Sequence, residues 1–533
     1  MSPLKDNALD RYSRSYESLT RFVSNATRMR AETALQLIDA TATYASAHHP
    51  GRLYDGALEN VAYRIGSTLP AATPEEVAKI TDRPRRDAGG RRRVLHVAPF
   101  MWRVGGHTRT LQNWVELDTS SQHSIALTRS LDSSLADNTR RLVDRHGGGL
   151  FVMSNAQSLL DRARMLRAIA QQDTDLVVLH HTCNDVIPTV ALAKEGLPPV
   201  GLVNDCDQAY WLGSSVTDII INQREAGARL SRERRHPGEN AVLPIPLPEP
   251  LRPTRAAARE ALGISADQLV LLTVGRAIKY RSSGSHDFFR TVRIILGKEP
   301  RAHLYIVGLT PEEATEWKLD WRHERIHLCG PQSELSNYRS AADLYLESMP
   351  FGSATALMEA AQVGLPVAFP FSPPLDLFVT NHGLETILDN PRDEAEYVAG
   401  VMALLGDAGA REKLGRALEA HMSSHHIGNA WRTHVAELYA VTDRIVHRPN
   451  SIPPTQSMDS ALDVALSEWQ TFLNAAAQTR DPAYFRDIPL NVAASARDRG
   501  DYGGLIEILW QYWRTFGIDR KMLKRVFRLP VAA

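Results

Sequence analysis

Residues 344–368, Leu-Tyr-Leu-Glu-Ser-Met-Pro-Phe-Gly-Ser-Ala-Thr-Ala-Leu-Met-Glu-Ala-Ala-Gln-Val-Gly-Leu-Pro-Val-Ala, read as strand, turn, helix and strand. An apolar run ends at Glu347, Pro350-Phe351-Gly352 turns the chain, and Ser353-Ala354-Thr355 opens a short amphipathic helix. A helix begun in this way points unpaired backbone N–H groups and a positive dipole end outward. That is where an α/β protein holds a phosphate. Gly364 closes the helix and Leu365-Pro366-Val367-Ala368 supplies the next strand. Taken alone, the segment also admits the weaker reading of a plain crossover in a parallel sheet.

The same alternation continues on both sides. Strands are expected at 269–274, 303–307, 326–329, 344–347 and 366–369, with helices around 286–296 and 334–341. An earlier series is expected at 94–98, 124–128, 150–153, 176–180, 200–204, 219–222 and 242–245. Near-continuous apolar strands with crossover helices argue for parallel sheets covered on both faces. Pro244, Pro246, Pro248, Pro250 and Pro253 form a stiff linker between the two series. Residues 8–66 carry only helical periodicity, with Leu19, Phe22, Val23, Ala26 and then Ala34, Leu35, Leu37, Ile38 at spacings of three and four. Residues 394–446 and 458–533 return to it. The expected organisation is a helical N-terminal cap (1–85), a Rossmann-like lobe (93–250), a second Rossmann-like lobe (260–446) and a helical C-terminal extension (450–533). In class the fold is α/β with two doubly wound lobes.

Composition narrows the function. With 533 residues the chain exceeds what one core can fill. Lysine plus arginine balances aspartate plus glutamate at 61 each, so no global field recruits nucleic acid or anionic membrane. The one dense basic run, Arg83 to Arg93, contains Pro84 and Gly89-Gly90 and reads as a solvated linker. Cys183, Cys206 and Cys329 are too scattered for a disulfide framework or a structural zinc site. No signal peptide and no apolar stretch of about 18 residues is visible, so a cytoplasmic protein without a transmembrane segment is expected.

Polar residues cluster where strands end, and ligands in doubly wound sheets lie beyond those ends. Gly275-Arg276-Ala277-Ile278-Lys279 follows one strand. Arg276 offers a planar fork and Lys279 a point charge, a pairing that suits a leaving diphosphate. It suits an exposed loop with two surface cations as well. Gly308 and Gly330 end two further strands, and a flat base stacked near Gly330–Gln332 is expected. In the first series, Pro99 to Arg109 includes Gly105, Gly106 and His107 at a helix start. His107 there can serve as a base, bind a hydroxyl or cap the helix. The loops His180-His181-Thr182-Cys183-Asn184-Asp185 and Asn204-Asp205-Cys206-Asp207-Gln208-Ala209-Tyr210-Trp211 follow two more strands. Asp205, Asp207 and Trp211 have the composition that suits sugar hydroxyls and a stacking face. Neither H-x-x-x-H nor H-x-H spacing occurs around His180 and His181, and no metal site is expected.

These residues carry a family resemblance, over roughly residues 93–446, to the GT-B glycosyltransferases. Gly105-Gly106-His107 resembles the first loop of glycogen-synthase-like members, and Gly275 to Lys279 resembles their basic diphosphate motif. Residues 345–367 look like their donor ribose and phosphate segment, with Glu359 matching the second glutamate of their E-x7-E motif. Phe351 stands where the first belongs. Pro350 to Glu359 is also similar to the corresponding segment of O-linked N-acetylglucosamine transferases and bacterial protein N-glucosyltransferases, which invert.

The resemblance implies two Rossmann-like lobes, with donor on the second and acceptor mainly on the first. It implies transfer of a hexose from a nucleoside-diphosphate sugar, UDP-linked in the expected case, to a glycan, protein or small-molecule acceptor. No metal or other cofactor is expected. Arg276, Lys279, Gly330, Ser353, Ala354, Thr355 and Glu359 are the expected donor residues. Gly105, Gly106, His181, Asp205 and Trp211 are the expected acceptor residues, with His107 or Asp207 as base. The alternative is a non-catalytic relative that binds a glycan or assists a partner transferase; a sugar-nucleotide epimerase is a third. Oligomeric state, homo- or hetero-, stays open.

Overall fold

The computed structural model describes residues 7–25, 29–81, 87–101, 106–180, 184–235, 238–371, 383–455, 458, 460–476, 485–517 and 526. The chain forms two compact units, Met1–Leu243 with Ala436–Ala533, and Pro244–Val435.

The first unit is built on seven strands, β1 (Arg93–Met101), β2 (Gln122–Leu131), β3 (Leu150–Val152), β4 (Leu176–His180), β5 (Val200–Asn204), β6 (Ile219–Asn222) and β7 (Glu239–Val242). They lie in the order 3-2-1-4-5-6-7, every neighbouring pair parallel. All residues of β4, β5 and β6 are buried. Helices must therefore cover both faces, and the terminal segments help to do so. In helix Ala8–Asn25, Leu9, Tyr12, Tyr16, Leu19, Phe22 and Val23 are buried at helical spacing. Most of these share one core with Leu95, Val97, Val177 and Leu179 of the sheet and with Leu490, Ile508 and Tyr512 of the C-terminal helices. The cap and the extension read from the sequence as separate segments are thus parts of the first unit.

One buried carboxylate ties the cap down. Glu59, on helix Gly56–Thr68, is fully buried. It accepts hydrogen bonds from the backbone N–H of Gly213 (2.6 Å), Ser214 (3.1 Å) and Ser215 (3.2 Å) and from Ser215 Oγ (2.7 Å). Nearby, the Asn60 side chain exchanges bonds with the backbone of Ile452 (2.8 and 2.9 Å). Part of the basic run is spoken for as well: Arg92 pairs with Asp443 and Arg93 with Asp173 and Asp175.

The second unit holds β8 (Leu269–Val274), β9 (Ala302–Val307), β10 (Ile326–Gly330), β11 (Leu344–Leu346) and β12 (Val367–Ala368). Their order is 10-9-8-11-12, again all parallel. Both sheets reverse direction of winding once, between β1 and β4 in the first and between β8 and β11 in the second. The crevice at such a reversal, outside the strand carboxyl ends, is where this architecture binds ligands.

The strand expected at 242–245 lies three residues earlier. The sheet's edge takes Glu239–Val242, a polar strand that needs no apolar outer face. Pro244 and Pro246 lack the N–H a ladder requires, and Ile245 and Leu247 bury instead in the core of the second unit.

Replacing Glu59 with alanine strands three buried N–H groups, and we expect a loss of about 2–4 kcal/mol of stability. Equilibrium denaturation followed by tryptophan fluorescence measures it; an unchanged midpoint would show the contact to be dispensable.

Candidate active site

In the second unit, both loops at the reversal carry the residues singled out. After β8, Gly275 leads into a short 3-10 turn, Ala277–Tyr280. A Cβ on Gly275 would meet Tyr280 Oη at 2.9 Å and Lys279 Cδ at 3.0 Å. Glycine here lets the lysine stem fold back over the strand end. Gly308, at φ +98°, lies so close behind that its Cβ would sit 3.0 Å from Gly275 O. Arg276 is exposed, and its guanidinium has no partner among the described residues.

Lys279 reaches the second loop. Its Nζ donates to Gly352 O at 2.5 Å and stands 4.5 Å from the centre of the Phe351 ring. Burial pulls its ammonium down to about 8, with the charge of Glu347 opposing. Glu347, at the end of β11, is itself fully buried. Its Oε1 accepts from Ser348 N (2.8 Å), Ser348 Oγ (2.9 Å) and Ser353 N (2.7 Å), fixing the turn between strand and helix. Its Oε2 is buried without a partner among the described residues. Burial pushes this carboxyl up, and Lys279 and the hydrogen bonds pull it back.

Helix Ala354–Ala361 starts at Ser353, whose side chain makes no cap. With Ser353 N taken by Glu347, the N–H groups of Ala354 and Thr355 are left without partners among the described residues. The arrangement is an uncapped helix start with one desolvated ammonium beside it, suited to an anion. Glu359 is buried and ion-paired with Arg339 of helix Ser336–Ala341. Gly330 adopts φ +63° and its carbonyl accepts from Gly308 N (2.8 Å), which keeps the ends of β9 and β10 in register beside partly exposed backbone.

In the first unit, His107 lies on helix Gly106–Leu117, which follows β1, and its Nε2 meets His180 O at 2.9 Å. A carbonyl only accepts, so Nε2 carries a proton, and in the neutral ring Nδ1 presents a lone pair. That Nδ1 is buried and unpartnered among the described residues. Asp205 lies close enough to act on His107 electrostatically. Its Oδ1 accepts from Gln223 Nε2 (2.5 Å), while Oδ2 is buried and unpartnered among the described residues. Burial pushes the Asp205 carboxyl up against the influence of His107 and Gln223.

Two expected residues stand elsewhere in chemical terms. Both oxygens of Asp207 are held by Arg224, at 2.8 and 3.0 Å, a largely buried bidentate ion pair that neutralises the carboxylate. Asp205, not Asp207, is the carboxylate beside His107. Trp211 is buried in the core, with the Arg235 guanidinium 4.0 Å from its ring centre and Nε1 aimed at Asn204, so it offers no stacking face. Gly106 is an exposed helix start next to His107. Gly105 and His181 lie outside the described residues. Among the described residues, no three His, Cys, Asp or Glu side chains are grouped so as to hold a metal ion.

Sequence reasoning missed Glu347, Phe351 as a neighbour of Lys279, and Arg339 as the partner of Glu359. Glu347 alone left a signal, a charge ending an otherwise apolar strand.

Residues 268–407, most of the second unit, match the family model of glycosyl transferases group 1. Among solved structures, HepE from Anabaena in complex with UDP is 16% identical, covering 66% of this chain and 100% of its own, with a TM-score of 0.49. A glycosyltransferase from Rickettsia africae is 14% identical, covering 67% and 99%, also at 0.49. An O-GlcNAc transferase mutant from Thermobaculum terrenum is 15% identical over 82% and 84%, at 0.44. A search of the curated proteins finds no significant match to the sequence.

An ammonium that titrates near 8 makes anion binding pH-dependent. Below about 8 Lys279 is charged and attracts the ligand; as pH rises through that value the charge is lost. Inorganic pyrophosphate should therefore bind more weakly at pH 9 than at pH 7, by several-fold in calorimetry. Lys279→Met should flatten that dependence, and an equal pH slope in the variant would show another group to be responsible.

Proposed function

We propose that this chain transfers a hexose from a nucleoside-diphosphate sugar, UDP-linked in the first instance, to a hydroxyl or amide acceptor without a divalent cation. The observation that carries the reading is Lys279 beside the uncapped start of helix Ala354–Ala361. It stands at the sheet reversal of a unit matching glycosyl transferases group 1. In this reading the diphosphate rests on the N–H groups around Ser353, Ala354 and Thr355. Lys279, joined by the unpaired Arg276, neutralises the charge that grows as the bond from the anomeric carbon to the diphosphate breaks. These cations and amides take the part a divalent metal plays in other transferases. Glu359, oriented by Arg339, is assigned to the ribose hydroxyls, and the backbone near Gly330 to the base.

The acceptor proton is assigned to His107 Nδ1. The bond from Nε2 to His180 O fixes the ring with that lone pair free. Asp205 would stabilise the imidazolium formed, through charge rather than through a direct bond. Direct displacement by an acceptor so activated inverts the anomeric carbon.

Calorimetric titration with UDP, GDP, TDP and ADP, each with and without magnesium, tests the donor half. One diphosphate should bind equally well under both conditions and lose at least tenfold in affinity in Lys279→Ala. Binding that requires magnesium, or no binding of any of the four, would overturn the reading. For the acceptor half, His107→Ala should lower turnover of that donor, by water or by an added acceptor, about 10²–10⁴-fold with donor affinity retained. Asp207→Asn should cost far less than Asp205→Asn.

A further inference from the structure

The first unit holds a row of buried imidazoles that the proposed chemistry leaves unused. His123 on β2, His96 on β1 and His180 on β4 are all fully buried. His96 lies opposite Ile125 and Val178 in the parallel register. His123 sits two residues before Ile125 and His180 two after Val178, so period-two alternation puts all three rings on one face of the sheet, stepping diagonally across three strands. His180 Nε2 meets His96 Nδ1 at 2.9 Å, and His96 Nε2 meets His123 Nδ1 at 2.9 Å. His123 Nε2 then meets Asp118 O at 2.9 Å and Asp118 Oδ2 at 3.3 Å. At the opposite end, His180 Nδ1 is buried with no partner among the described residues, next to the ring of His107 (centroids 6.2 Å apart).

The ends dictate every proton between them. Both Asp118 atoms only accept, so His123 Nε2 carries a hydrogen. If His123 is neutral, its Nδ1 accepts from His96 Nε2–H. His96 Nδ1 then accepts from His180 Nε2–H, and His180 Nδ1 is a bare lone pair. If His123 bears a second proton on Nδ1, each inner bond reverses. His96 then donates from Nδ1, His180 accepts at Nε2, and His180 Nδ1 becomes an N–H donor. Both patterns make three hydrogen bonds with the heavy atoms in place.

We propose that His180, His96 and His123 form a proton relay between the neighbourhood of His107 and Asp118, in which a proton entering at His180 Nδ1 emerges as positive charge on His123. The step balances. A new N–H forms at His180 Nδ1, His180 passes its Nε2 proton to His96 Nδ1, and His96 passes its own to His123 Nδ1. The incoming proton comes from water or, in turnover, from the imidazolium formed at His107. Its use in turnover rests on the transferase reading; its existence does not.

The surroundings favour charge at the His123 end. Burial, with His107, His123 and His146 adding repulsion, holds His96 and His180 well below the ordinary imidazole range. Burial works against the Asp118 carboxylate, but bonds from His123, Ser120 and Tyr439 outweigh it and keep it ionised. The other groups facing the row are the Trp114 indole against His96 and His180, and His146 against His123. Burial lowers His146 to about 4, with the charge of His123 and then of Arg145 adding to the shift, so it stays neutral.

The test is nitrogen NMR of the full-length protein labelled with ¹⁵N-histidine, carried from pH 9 to pH 5. At the alkaline end all three rings should be Nε2–H tautomers. On acidification His123 should gain a second proton while His96 and His180 convert to Nδ1–H, all at one common midpoint. Asp118→Asn keeps the carbonyl but removes the counter-charge, and should move that midpoint down by about one unit or more. Tyr439→Phe removes a donor that competes for Asp118 Oδ2 (2.7 Å) and should move it up. A row that is only structural keeps its tautomers. His96 holding one tautomer across the range, or three separate midpoints, would overturn the proposal in the native protein, whatever the variants do and whether or not sugar transfer is found.

Discussion

A parallel sheet must be covered on both faces, and in the first unit that requirement organises most of the chain. Strands β4 to β6 are buried along their whole length, and more than the crossover helices takes part in covering them. The N-terminal helices and the C-terminal helices supply the remainder, which is why residues more than 400 positions apart share one core. Glu59 shows the cost of the arrangement. Packing a helix against the loop at Gly213–Ser215 buries three backbone donors, and only a carboxylate that faces all of them satisfies the loop.

The same requirement leaves polar chemistry few places to go. Strand interiors are closed to it, so functional groups collect where strands end, above all at the reversal of each sheet. Lys279 and Glu347 leave β8 and β11, and His107 follows β1 beside the end of β4. The histidine row is the exception, three polar rings inside a sheet face. It is tolerated because each ring satisfies its neighbour and the last rests on Asp118.

Legibility in the sequence follows this division. Strands buried on both faces announced themselves: β4, β5, β6 and β8 begin and end where the apolar runs do. The edge strand β7 did not, because an edge tolerates Glu239 and Asn240 while the more apolar run next to it belongs to another core. Of the site, residues whose role depends on backbone position were visible, such as Lys279 after Gly275 or Ser353 at a helix start. Those whose role depends on a distant partner were not. Asp205 and Asp207 are indistinguishable by composition until Arg224 claims one of them. An aromatic after a strand reads as a sugar platform until Arg235 is seen over Trp211. His107 could be base or cap until the carbonyl of His180 decides which nitrogen is free.

Phe351 draws these threads together. In glycogen-synthase-like relatives the resemblance puts a carboxylate at this position; here a ring faces the Lys279 ammonium at 4.5 Å. A ring's quadrupole attracts a cation more weakly than a full negative charge does. Glu347, whose charge acts on Lys279, spends its Oε1 on the turn and is itself burdened by burial. Lys279 is therefore left with a charge that its surroundings only partly compensate, the condition recorded by its depressed titration. An anion arriving at the open helix start relieves that deficit, whereas a carboxylate at position 351 would have met it in advance. A ring in place of a carboxylate at position 351 thus strengthens the demand for a bound anion at this site.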